Sequence, residues 1–63
     1  MEKYSAVRRS KSMSQTEVAA LMGTSASVVS RLENGADVNV STLQKYAAAL
    51  GCVLRIEIVP KVR

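Results

Sequence analysis

Arg31 is the side chain best equipped for recognition in this 63-residue chain, because its guanidinium fork can donate two parallel hydrogen bonds to a matched pair of acceptors. Ala26, Ser27 and Ser30 precede it at helical spacing, so a helix through this stretch carries all four on neighbouring positions. Catalysis is a poor fit. The chain has no histidine, a single cysteine (Cys52), five carboxylates without an obvious pair, and no glycine-rich phosphate cradle. The same shortage excludes a metal cluster or disulfide within one chain, so no cofactor is expected. The net charge of +4 favours polyanions as partners, although solubility alone explains many basic proteins.

These residues need a scaffold, and 63 residues allow one compact core. A chain this small buries only roughly 60% of the surface it exposes when unfolded. Nearly half the residues are hydrophobic (48%), yet Trp and Phe are absent, so Leu, Val, Ile, Met and Ala must fill the interior. Marginal stability makes a partner chain plausible. The lone thiol suits a reducing cytoplasm. With no apolar run near the ~20 residues of a membrane span and no secretory leader pattern, the expectation is a mature, soluble cytoplasmic chain without membrane contact.

Glycines at 23, 35 and 51 divide the chain into short segments. Tyr4, Val7 and Arg8 predict a first helix from about Glu2 to Lys11, with Arg8, Arg9 and Lys11 in its last turn. Ser14 and Glu17 form a capping-box pattern that starts a second helix running to Met22, with Val18, Leu21 and Met22 as its apolar face. Thr24 and Ser25 are N-cap candidates for a third helix reaching Glu33, which Asn34 and Gly35 end. Its apolar positions are Val28, Val29 and Leu32, which leaves Ala26, Ser27, Ser30 and Arg31 outside. A loop follows to Val40. Ser41 and Gln44 repeat the capping-box spacing before a fourth helix, buried through Leu43, Tyr46, Ala47 and Leu50. From Val53 to Val59 the period becomes two, which predicts one strand ending at Pro60.

The fold class expected is therefore mainly α, with four or five short helices and one C-terminal strand. Residues 1–51 would form the helical domain and residues 52–63 a dimerisation strand and tail. Gln15 to Met22, the turn at Gly23 and Thr24, and Ser25 to Glu33 match the spacing of a helix-turn-helix, whose second helix enters the DNA major groove.

Ser14-Gln15-Thr16-Glu17-Val18-Ala19, Gly23-Thr24-Ser25 and Val29-Ser30-Arg31-Leu32-Glu33-Asn34-Gly35 resemble the Cro and phage-repressor (XRE-type) family of transcriptional regulators, as do Ser41-Thr42-Leu43 and Ala49-Leu50-Gly51. The resemblance covers roughly Tyr4 to Gly51, and the short domain with a C-terminal strand is similar to antitoxins of the HigA and HipB type. It implies a lambda-repressor-like fold and phosphate contacts from Gln15, Thr24, Ser25, Asn34 and Asn39, against the competing reading of ordinary exposed or turn residues. Base readout would fall to Ala26, Ser27, Ser30 and Arg31, with Arg31 paired to guanine O6 and N7. Arg8 and Glu33 match a structural ion pair of the family. Ser12 stands where the family has Gly, and Val40 near its Pro.

Two functions follow from this resemblance: a dimeric repressor of a palindromic operator in double-stranded DNA, or an antitoxin that neutralises a toxin protein and binds DNA to regulate itself. An enzyme is not expected. The homodimer is expected to form through Leu54, Arg55, Ile56, Glu57 and Ile58, because the one strand needs a partner for its backbone groups.

Overall fold

Each helix of this protein stops in the same local way, and those stops set the lengths of the pieces. The computed structural model describes residues 4–61, with α1 at Tyr4–Ser10, α2 at Gln15–Met22, α3 at Ala26–Glu33 and α4 at Val40–Ala49. After every helix one residue turns left-handed while two N–H groups reach back to the last free carbonyls. For α2 these are Gly23 N–H to Ala20 O at 3.2 Å and Thr24 N–H to Ala19 O at 2.9 Å. This is the Schellman closure. Gly35 and Gly51 close α3 and α4, and Ser12 (φ 57°) closes α1 through Ser12 N–H to Arg9 O and Met13 N–H to Arg8 O. Ser12 is the position at which the family resemblance has glycine, and the backbone there has the left-handed shape that glycine tolerates best.

The start of α2 is a complete capping box. Ser14 Oγ accepts from the Glu17 N–H at 3.0 Å, and Glu17 Oε1 accepts from the Ser14 N–H at 2.8 Å. The expected counterpart at Ser41 and Gln44 is absent. Instead Asn39 is the N-cap of α4, its carbonyl accepting from Thr42 and Leu43, so Ser41 already lies in the first turn. The expected beginning of α1 at Glu2 lies outside the described residues, and its end falls at Ser10 rather than Lys11.

Val18 of α2 and Val29 of α3 are fully buried at the centre of the core, with Ala19, Leu32, Tyr46, Ala47 and Leu50 around them. Helix α2 packs against both α3 and α4. Because it is gripped on two sides, its buried positions are Val18 and Ala19, while Leu21 remains 65% exposed and Met22 half-buried. The expected apolar face through Leu21 is thus rotated toward Ala19, whose small side chain permits close approach. In α3, Val29 and Leu32 are buried and Val28 half-buried.

No strand forms among the described residues, which corrects the expectation for Val53 to Val59. A strand is defined by ladder bonds to a neighbour, and the described chain offers no second strand to supply them. Alternation survives in the side chains nevertheless: Cys52 and Leu54 are half-buried against the helices, while Val53 and Arg55 are exposed. Beyond Leu54 the helical body no longer backs the segment, so Ile56 and Ile58 are 61% and 97% exposed. No helix among the described residues is long and apolar enough to cross a membrane.

Candidate nucleic-acid interface

The outer face of α3 is small and polar because its bulk points inward. Val29 and Leu32 occupy the core side, so Ser27 and Arg31, one turn apart, crown the opposite side. Ala26 and Ser30 flank them and are half-buried, less open than the sequence pattern suggested. Ser25, the N-cap of α3, shares a hydrogen bond with Ser27 (Oγ to Oγ, 3.0 Å). Asn34 at the other end donates through Nδ2 to Ser30 Oγ at 3.4 Å. Thr24, Ser25, Asn34 and Asn39 are all exposed. A helix faced with Ala and Ser lets its backbone come close to a groove floor, and Arg31 supplies the long reach.

Behind that face sits a buried polar knot that draws on all four helices. Arg8 of α1 donates through Nε to Glu33 Oε2 at 2.7 Å and through Nη2 to Oε1 at 3.2 Å. Its remaining nitrogen, Nη1, donates to the carbonyl of Met13 at 2.8 Å, stitching the α1–α2 turn to the same guanidinium. Gln15 at the start of α2 donates through Nε2 to Glu33 Oε1 at 3.0 Å, and the Tyr46 hydroxyl of α4 donates to Oε2 at 2.6 Å. Glu33 therefore terminates α3 with both carboxylate oxygens doubly engaged. The Tyr4 ring leans on Tyr46 at 5.9 Å between centroids, and the Tyr4 carbonyl lies 3.2 Å from the Tyr46 hydroxyl.

Burial pushes the Glu33 carboxyl up, but hydrogen bonds from Arg8, Tyr46 and Gln15, with the Arg8 charge, outweigh it and hold the group below the usual carboxylate range. Tyr46 moves the other way: desolvation, then its bond to the Glu33 carboxylate, push the phenol well above its ordinary value. The Arg8 guanidinium is raised by its bond to Glu33 against a desolvation cost. At neutral pH the knot is an ion pair plus two neutral donors, with no buried side-chain polar atom lacking a partner among the described residues.

Two members of the knot are not evident from the pattern of residues. Tyr46 reads from its spacing as core, and the only signal for more is that a buried phenol seeks an acceptor. Gln15 reads as an outward phosphate contact, whereas its amide here is turned toward Glu33 and the side chain is half-buried. One of its two amide hydrogens is thereby committed within the protein.

The family model described as "Helix-turn-helix" matches residues 5–55. Among curated proteins, "Putative antitoxin HigA3" of Mycobacterium tuberculosis (strain ATCC 25618 / H37Rv) is 54% identical over 44 residues, which cover 67% of this chain and 40% of that protein. The matched stretch thus spans about two fifths of the length of that curated relative. No solved structure matches it.

Proposed function

Because the chain belongs to the helix-turn-helix family of DNA-binding transcription regulators, we propose that it acts as a dimeric repressor, reading a palindromic operator through α3. The observation that carries this reading is the small-residue face of α3, with Ser27 and Arg31 exposed, Ala26 and Ser30 half-buried beside them, and the helix end anchored by the knot at Glu33. Arg31 reads a guanine through its fork, Ser27 and Ser30 offer hydroxyls, and Ala26 offers a methyl contact to thymine. Thr24, Ser25, Asn34 and Asn39 surround that face as neutral donors for backbone phosphates. Gln15 joins them with its second amide hydrogen and with the N–H groups at the start of α2.

Residues 1–51 supply the DNA-binding unit and 52–63 the dimer contact. Val53 to Val59 pairs antiparallel with its own copy, forming the strand that a single chain cannot. Centring the two-fold axis on Ile56 puts Leu54 opposite Ile58 of the second chain and Arg55 opposite Glu57. Centring on Arg55 or Glu57 opposes like charges, and a one-residue slip mixes the apolar face with the charged one. In the single chain Arg55 and Glu57 are highly exposed and only 3.4 Å apart, a weak contact open to exchange.

Selection of bound sequences from random double-stranded DNA tests the proposal. Enrichment of an inverted repeat, with centres about 34 Å apart along the duplex, is expected. Recovery of no preferred sequence at moderate salt overturns it. Sedimentation of Ile56→Glu tests the dimer: a variant that stays dimeric and still binds the selected DNA removes this segment from the interface.

The identity with a protein named as an antitoxin supports a second reading, in which the chain also binds and neutralises a toxin. Rescue of growth by this chain when a toxin-like neighbouring gene is expressed would favour that reading.

A further inference from the structure

Beside the C-terminal segment, α1, α4 and Cys52 to Arg55 enclose an apolar groove of about 270 Å³. Tyr4, Val7, Leu43, Leu50, Cys52 and Leu54 line it, and Arg55 is the one charged lining residue among the described residues. The helical body covers Cys52 and Leu54 of its own chain and nothing further along, which is why Ile58 stands 97% exposed. Resting on the dimer reading above, we infer that this groove is the seat for the second copy's C-terminal arm, with the partner's Ile58 beside Leu54 and the partner's Pro60 beside Cys52.

The placement follows from register and alternation. With the axis on Ile56, residues 52, 54, 56, 58 and 60 share one face of the two-stranded ribbon. That face is the one Leu54 and Cys52 already turn toward the groove. The two-fold axis therefore lays the unbacked end of each arm over the backed end of the other. Each chain covers the half of the ribbon that its partner leaves bare. Charge agrees with this seating: the partner's Glu57 faces Arg55. Val53, which borders the mouth of the groove but is 86% exposed, meets the partner's Val59 on the opposite face of the ribbon.

Cysteine trapping in the full chain tests the seating. Facing residues of an antiparallel pair hold their Cα atoms roughly 4.5–5.5 Å apart, within the roughly 4.4–6.8 Å that a disulfide spans. Pro60→Cys is therefore expected to give a covalent dimer through Cys52 on mild oxidation. The link should vanish when Cys52→Ser is added, and should not form with Val59→Cys, whose thiol leaves the opposite face of the ribbon. Ile58→Asp should weaken dimerisation more than about ten-fold, from the apolar burial it forfeits. If Pro60→Cys sediments as a dimer yet stays unlinked, or position 59 links as readily, the register and the groove seating are overturned while the dimer stands. If the unaltered chain sediments as a monomer at micromolar concentration, both fall.

Discussion

The Tyr46 hydroxyl donates to Glu33 Oε2 at 2.6 Å, joining α4 to the last residue of α3, the second helix of the helix-turn-helix. Glu33 is held from the other side by Arg8, so the end of α3 is clamped between α1 and α4. The orientation of the Arg31 face thus depends on residues of α1 and α4, outside the helix that carries it.

Tyr46→Phe keeps the ring and removes one hydrogen bond to a charged acceptor. It should cost about 1.5–3 kcal/mol, the range for such bonds. Urea unfolding checks this, and the Glu33 carboxyl, followed by NMR, should titrate at higher pH in the variant. An unchanged Glu33 titration would mean that the hydroxyl does not stabilise the carboxylate.

Removing one member of the Arg8–Glu33 pair leaves a buried charge uncompensated, with side chains only 9% and 4% exposed. Arg8→Met and Glu33→Gln should each cost about 3–5 kcal/mol, and the double variant less than their sum. The double variant will not regain full stability, because Tyr46 and Gln15 also lose their charged acceptor. Strictly additive losses across the four proteins would argue against coupling.

Acid and base should destabilise the fold for opposite reasons. Glu33 titrates below its ordinary value of 4.5 in the folded chain, so its contribution is present above that value and disappears as pH falls through the folded one. Tyr46 titrates above its ordinary value of 10.0, so its contribution is complete below 10 and disappears as pH climbs toward the folded one. Urea midpoints across pH should form a plateau between those limits. Glu33→Gln should flatten the acid side relative to the parent chain, and an acid side of unchanged steepness would assign the loss to other carboxylates.

Ser12 holds a left-handed backbone that costs a non-glycine residue about 1–2 kcal/mol. Ser12→Gly should therefore raise stability by roughly 1 kcal/mol, or about 4–8 °C in a domain of this size. Gly23→Ala is the converse. Open space surrounds the position, so its loss would come from backbone strain alone. A thermal melt of each variant measures both signs.

Arg31→Ala should lose about 1–3 kcal/mol of discrimination at one base pair per half-site while leaving the fold intact, since the side chain is exposed. Gln15→Ala should weaken all DNA sequences alike, and it should also lower stability because its bond to Glu33 disappears. Titrations against operator and scrambled DNA, run well below each variant's melting temperature, separate the two effects. Equal affinity and unchanged sequence preference in Arg31→Ala would remove it from base readout.

What can be read along the chain is what depends on near neighbours. The capping box of Ser14 and Glu17, the closures at Gly23, Gly35 and Gly51, and the span Gln15–Met22 all involve partners within five residues, and each has a residue type that its geometry demands. The paired period of two after Cys52 is likewise local, and it survives as alternating burial of Cys52 and Leu54 although no strand forms. Only the tertiary structure decided the rest. Whether Leu21 or Ala19 is buried depends on how α3 and α4 together pack on α2, which no spacing within α2 carries. The family resemblance already pairs Arg8 with Glu33, 25 positions apart, but the convergence of Gln15 and Tyr46 on the same carboxylate is legible only in the structure. An amide or a phenol has several possible partners as a residue type, and the packing of the helices leaves the carboxylate that Arg8 holds within reach of both.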